Sequence, residues 1–222
     1  FVQRAIAAGV MISLCAALLG VILVLKQYSL IGHGLGDVGF ASTSLAVALG
    51  LPVMAVSIPI VVVAACLIMF WSQRSKTGGD TAIGMVATGA LSIGVIITAM
   101  SSGFNVDVNG YMFGSILAMS RDDVVFSVVL SIVILVLFIL FYNRLFLITF
   151  DENFAKASGI NVGFYQFLIA LLTALTVVMG MRMMGSLLIS SLIIFPAVFF
   201  FVCDLKNLPA GERLLAAMFQ SV

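Results

Sequence analysis

Long apolar runs alternate with short polar breaks along the whole chain. A helix needs about 20 apolar residues to cross the hydrocarbon core of a bilayer, and seven runs reach or approach that length. They occupy residues 5–25, 30–51, 52–71, 83–100, 124–142, 165–179 and 186–202. The fifth, VVFSVVLSIVILVLFILFY, is the clearest. Residues 72–80 (SQRSKTGGD) and 101–123 read as loops, and so do 143–161 once their short apolar stretch is discounted. The pattern predicts an all-α fold, a polytopic transmembrane bundle of about seven spans with no soluble domain boundary. Pro59 and Pro196 interrupt the third and seventh runs, where the missing backbone donor predicts kinks.

Composition changes the picture in one respect: it excludes water as the solvent. Hydrophobic residues make up 63% of 222 positions and charged residues 9%, with mean hydropathy +1.30. A soluble domain carries roughly 25% charged residues, so these charges are too few to cover a globule. The protein is expected to lie in membrane lipid as a multi-pass protein. A net charge of +1 with no basic run gives no reason to expect a nucleic-acid partner. Cys15, Cys66 and Cys203 stand singly in apolar runs and read as packing residues rather than a disulfide framework or metal site. The run at 5–25 is long enough to span and is followed by no A-x-A-like cleavage signal.

Charge also orients the spans. Alternation puts Lys26, Arg74, Lys76, Arg144, Lys156, Lys206 and Arg213 on one side and Arg4, Arg121 and Arg182 on the other. The lysine- and arginine-rich side is predicted to be cytoplasmic.

Candidate chemistry concentrates in Ser29-Leu-Ile-Gly-His33-Gly-Leu-Gly-Asp37. His33 and Asp37 are four residues apart, so a helix stacks them on one face. An imidazole and a carboxylate there suit a divalent cation such as zinc or manganese. The other reading is a His–Asp pair that anchors a helix end. Ionisable groups within a membrane segment are costly and mark cavities or mutual pairs. Gly34-Leu35-Gly36-Asp37 also matches the GxGD signature of intramembrane aspartyl proteases. That chemistry needs a second carboxylate at membrane depth, and the other acids lie in predicted loops or span ends.

A second stretch, residues 150–162 (FDENFAKASGINV), falls on the cytoplasmic side. Asp151 and Glu152 favour a helix start and Gly159 a helix stop, which predicts a short helix of about two turns able to dock into a partner's groove. A simple turn between spans is the alternative. Met179, Met181, Met183 and Met184 surround Arg182; thioethers can bind Cu(I), but filling gaps in an apolar core is their commoner use. Asp107, Asp122 and Asp123 read as solvated loop charges. No GxxxxGK[ST] loop is present, so ATP is not bound by that route.

Several of these stretches together resemble the permease subunit of ABC importers for zinc, manganese and iron, a family that includes bacterial high-affinity zinc uptake permeases. The resemblance is carried by ALLGVILVLK leading into Ser29-Leu-Ile-Gly, Asp80-Thr-Ala-Ile-Gly, Phe113-Gly-Ser-Ile-Leu, Asp151-Glu-Asn-Phe-Ala-Lys-Ala-Ser-Gly-Ile and Gly185-Ser-Leu-Leu-Ile-Ser-Ser-Leu-Ile-Ile-Phe-Pro-Ala. It implies a permease of a bacterial plasma membrane that works as a pair of copies, with cytoplasmic ABC ATPase subunits and an external metal-binding protein. The chain itself would be no enzyme: ATP belongs to the partner, and Zn2+ or Mn2+ is cargo rather than a tightly bound cofactor. Residues 151–160 would be the segment coupled to the ATPase, with Asp151, Glu152, Phe154, Ala155 and Gly159 carrying it.

His33 and Asp37 would be transient metal ligands, although family members usually carry Asp first and His four later. Members also usually run on after the position of Phe199. The resemblance therefore implies a single permease domain over 1–222 that lacks the family's last C-terminal helices. A metal-chelate permease and an ion-coupled carrier are the neighbouring alternatives. Two substitutions separate the protease from the importer. Asp37→Asn abolishes and His33→Ala spares a GxGD protease, whereas metal uptake by cells falls with His33→Ala in an importer.

Overall fold

Hydrocarbon offers no partner for a bare N–H or C=O, so a chain that crosses it must pair its backbone within each segment. The apolar runs do this as helices. The computed structural model describes residues 2–26, 28, 30–74, 79–100, 114 and 121–207. Among these lie α1 (Val2–Leu25), α2 (Ile31–Ala48), α3 (Val53–Arg74), α4 (Gly79–Met100), α5 (Arg121–Phe150), α6 (Glu152–Ala157), α7 (Val162–Met184) and α8 (Ser186–Asn207), and no strand. Most of the expected loop 101–123 lies outside the described residues. So do the middle of the loop 72–80, the Phe113–Leu117 stretch apart from Gly114, and the polar tail beyond Asn207.

Among the described residues, five helical segments are long and apolar enough to cross a membrane: Ile6–Leu25, Val53–Trp71, Asp80–Met100, Val124–Phe150 and Val162–Met184. Helices α2 and α8 form where the second and seventh runs predict them. Pro59 and Pro196 lie inside continuous helices.

The fifth run is the main difference from expectation. Its helix does not stop at Tyr142 but continues to Phe150. Asn143 and Arg144 are single polar positions on an otherwise apolar surface, and Leu145 and Ile148 beyond them are fully buried. The Arg144 Nη1 donates to the Tyr165 hydroxyl at 3.2 Å, which gives the polar break a partner on α7. The loop read at 143–161 therefore shrinks to the short segment around α6.

Helix α7 is the most enclosed of the spans, while α4 and α5 turn broad apolar faces outward, as at Ile93, Ile96, Ile139 and Leu140. Those faces suit lipid tails. Because lipid is as apolar as leucine, helices in a bilayer associate through close packing and small residues. The α1–α8 crossing shows the point. A Cβ added at Gly20 would collide with the Ile193 backbone carbonyl.

Side-chain contacts fix the directions. Gly34 lies against Ile83, and Thr98 Oγ1 donates to Ser44 Oγ at 3.2 Å, so α2 and α4 run parallel. Gly32 lies against Ser190 and Gly36 against Ser186, so α8 runs antiparallel to α2. The Leu30 amide donates to Asp80 Oδ1 at 3.1 Å, which brings the start of α2 and the start of α4 to one end of the bundle. Gly163 and Gln166 at the start of α7 share a cavity with Leu67 and Phe70 in the last turns of α3, the helix that leads into α4, so α6 lies at that end too.

The Gly20 contact gives a stability prediction. Gly20→Val pushes two backbones apart and should destabilise the purified protein by about 1–3 kcal/mol or more. Gly89→Ala, where nothing lies within 4 Å of an added Cβ, should leave thermal unfolding in detergent unchanged.

Candidate functional site

Three glycines determine what α2 can present. Gly32 and Gly36, one turn apart, admit α8: an added Cβ would lie 3.2 Å from the Ser190 Cα and 3.2 Å from the Ser186 Cβ, respectively. Gly34, on another side, admits α4, with Ile83 Cγ2 2.5 Å from an added Cβ. His33 and Asp37 occupy the sector between these two contacts, at the periodicity of a helix. The His33 side chain is 52% exposed and Asp37 14%, with Nε2 and Oδ2 3.8 Å apart. The two residues predicted as ligands therefore meet on one face, in the first two turns of α2. Among the described residues no group of three or more His, Cys, Asp or Glu is placed to hold a metal. Two donors alone do not close a tetrahedral site.

The start of α2 is held from outside the helix. Leu30, its N-cap residue, makes no side-chain cap. The amide of Leu30 instead bonds the Asp80 carboxylate at the start of α4. This role of Asp80 was not read from the sequence, since the partner is 50 residues away.

The segment 151–160 folds as its residues predict. Asp151 caps α6, its Oδ1 accepting from the Phe154 amide at 2.9 Å. Gly159 follows the helix at φ 77°, a left-handed conformation that glycine adopts without strain. The helix has two faces. Ala155 is fully buried against the bundle, while the Phe154 ring, 57% exposed, points away. Glu152 bonds Lys156 at 2.8 Å on one oxygen and Gln166 of α7 at 3.4 Å on the other. Burial lowers the Lys26 pKa from the ordinary lysine value, and the nearby Glu152 charge opposes that shift.

Gln166 and the role of Lys26 were missed in the sequence. A signal for Gln166 was present: it is the single amide within the apolar stretch Tyr165-Gln-Phe-Leu-Ile-Ala-Leu-Leu. Met179, Met181 and Met183 are buried, and Ser127 Oγ lies 3.6 Å from the Met179 Sδ, which fits the packing reading of these thioethers. Cys15 is buried with its thiol on the Ser131 carbonyl. The side chains of Asp107, Asp122, Asp123 and Cys203 lie outside the described residues.

A helical membrane bundle with an ionisable pair on an inner helix and a short capped helix at one end has the architecture of a transport permease. The chain belongs to the ABC 3 transport family, which matches residues 1–206. It is 29% identical over 219 residues to the manganese transport system membrane protein MntC of Halalkalibacterium halodurans, covering 99% of this chain and 74% of that one. It is 32% identical over 199 residues to the high-affinity zinc uptake system membrane protein ZnuB of Haemophilus influenzae, covering 87% and 74%. Among solved structures, PsaBC from Streptococcus pneumoniae in complex with Fab superposes with a TM-score of 0.75 at 29% identity, covering 88% of this chain and 70% of that one. The chain is thus a multi-pass plasma-membrane permease subunit rather than an enzyme.

The Asp80 contact carries a prediction for this site. Asp80→Ala removes the acceptor that holds the start of α2 and should cost about 0.5–2 kcal/mol, the range for loss of a helix cap. Asp80→Asn keeps an oxygen acceptor and should recover most of that loss in thermal unfolding of the purified protein.

Proposed function

We propose that this chain, residues 1–222 acting as one permease domain, is the membrane subunit of an ATP-driven importer of a divalent metal, zinc or manganese. The observation that carries the reading is the open sector of α2, in which His33 and Asp37 converge while small residues seat helices on either side. Family membership supports it, and so do the names of its relatives, a manganese and a zinc transport protein. The intramembrane protease and the metal-chelate permease are not favoured.

In this reading the metal is cargo. A neutral imidazole and a carboxylate bind a borderline divalent cation, and two donors bind it weakly enough to let it go. A second copy of the permease faces the first across the path. An external metal-binding protein delivers the ion, and two cytoplasmic ATPase subunits drive the change between outward and inward access. A structural zinc site would hold the ion too tightly for turnover; a transient pair suits transport.

The segment 151–160 meets the ATPase. Asp151 and Gly159 set the ends of α6, Ala155 packs it on the bundle, and Phe154 offers an exposed apolar ring on the side turned from the protein. The end of the bundle that holds Lys26 and α6 is then cytoplasmic, as the lysine and arginine count predicts.

Two substitutions test the two parts separately. In proteoliposomes holding the full complex, His33→Ala should lower ATP-driven zinc or manganese uptake by about tenfold or more, the effect of losing about 1.4 kcal/mol of binding. The ATPase should remain bound in that variant. Phe154→Ala should weaken co-purification of the ATPase and leave metal binding to the permease unchanged. Full uptake by the His33→Ala complex would demote the pair to a helix anchor.

A further inference from the structure

Helix α6 has six residues, too few to be stable alone, since isolated helices under about a dozen residues are marginal in water. Its Asp151 cap and one buried alanine give it a shape, but they do not explain how a push on it would reach the spans. The polar groups around Glu152 do. Gln166 lies in the second turn of α7 and is 6% exposed. Its neighbours around the adjoining α3–α7 cavity are apolar, including Val63, Leu67, Phe70 and Phe167. A buried amide is costly to leave without a partner, and this one donates from Nε2 to Glu152 Oε2 at 3.4 Å. The other Glu152 oxygen accepts from Lys156 on the same helix.

We propose that Glu152 is the positioning residue that latches α6 to α7 through Gln166, so that movement of α6 is passed directly into the most enclosed span of the bundle. This rests on the reading of 151–160 as the ATPase-coupled segment and divides that segment by role. Phe154 faces outward to the ATPase, while Glu152 faces inward and carries the motion.

Two further observations support the latch. Helix α7 packs against α1, α2, α3, α5 and α8, so a displacement delivered to Gln166 reaches every one of those neighbours. Lys26, at the end of α1, is half-buried, and the Glu152 charge opposes the lowering of its pKa by burial. The latch is one hydrogen bond whose Gln166 end is buried while the Glu152 carboxylate is 42% exposed, so it is directional, and its hold comes from the buried amide that has this carboxylate as its acceptor.

The test measures metal moved per ATP hydrolysed by the whole complex in proteoliposomes, loaded with zinc or manganese alone. Glu152→Ala and Gln166→Leu, which remove the acceptor and the donor outright, should each lower that ratio by about tenfold while the ATPase still co-purifies. The reciprocal exchange, Glu152→Gln with Gln166→Glu, restores a carboxylate–amide pair between the same helices and should recover at least half of the ratio. Lys156→Ala removes the pair within α6 and should stay within about twofold, because exposed i,i+4 pairs are weak. An unchanged ratio in both single variants would overturn the latch while leaving the importer intact. Loss of ATPase binding in Glu152→Ala would also overturn it, by placing the carboxylate on the docking face. Wild-type complex without ATP-driven uptake would remove the importer reading, and the latch with it.

Discussion

The structure depends on how closely other helices approach α2. An apolar bundle tolerates ionisable side chains only where they face one another, a cavity or water. Helix α2 carries two of them within five residues. Gly32 and Gly36 let α8 press against one side and Gly34 lets α4 press against another. Their missing side chains leave His33 and Asp37 as the polar content of the remaining sector. Larger residues at these glycines would move α4 and α8 outward and open gaps around the pair. The placing of the ionisable pair and the packing of the bundle are therefore one problem with one solution.

The second dependence lies at the end of the bundle that carries α6. Leu30 is tied to Asp80, Arg144 to Tyr165, and Glu152 to Gln166 and Lys156. Each link but the last joins elements distant in sequence or on different helices. Polar contacts gathered at a helix end cost less than those at mid-bilayer, because water reaches the groups that remain exposed. They are also where force from a soluble partner can enter. The first turn of α2 begins at this same end, while Gly36 beside Asp37 already meets Met181 in the last turn of α7 and Ser186 at the start of α8, so the helix carries the ionisable pair inward and away from α6.

Much of this was legible in the sequence. The apolar runs place the helices, because hydropathy over about 20 residues reports the one constraint a bilayer imposes. The spacing of His33 and Asp37 gives their shared face, and Asp151 with Gly159 gives the ends of α6, since these are local rules of helix geometry and capping. What escaped was non-local. The continuation of α5 past Asn143 and Arg144 brings Arg144 to a partner, the Tyr165 hydroxyl, that belongs to another helix. The Asp80 contact spans 50 residues. The value of Gln166 emerges only once Glu152 is beside it. The glycines of α2 were visible as composition, but which of them faces α4 and which α8 is a property of the packed bundle.

The central claim is that the His33–Asp37 sector of α2 borders water rather than lipid. Thiol labelling tests it most directly. His33→Cys, at the exposed member of the pair, would be placed in a chain whose Cys15, Cys66 and Cys203 are replaced by alanine, beside Ile139→Cys on the outward face of α5. Both would be exposed to a charged, membrane-impermeant thiol reagent in the assembled complex. The account predicts rapid reaction at position 33 and none at 139. Equal inertness of the two positions, with the complex intact, would contradict it.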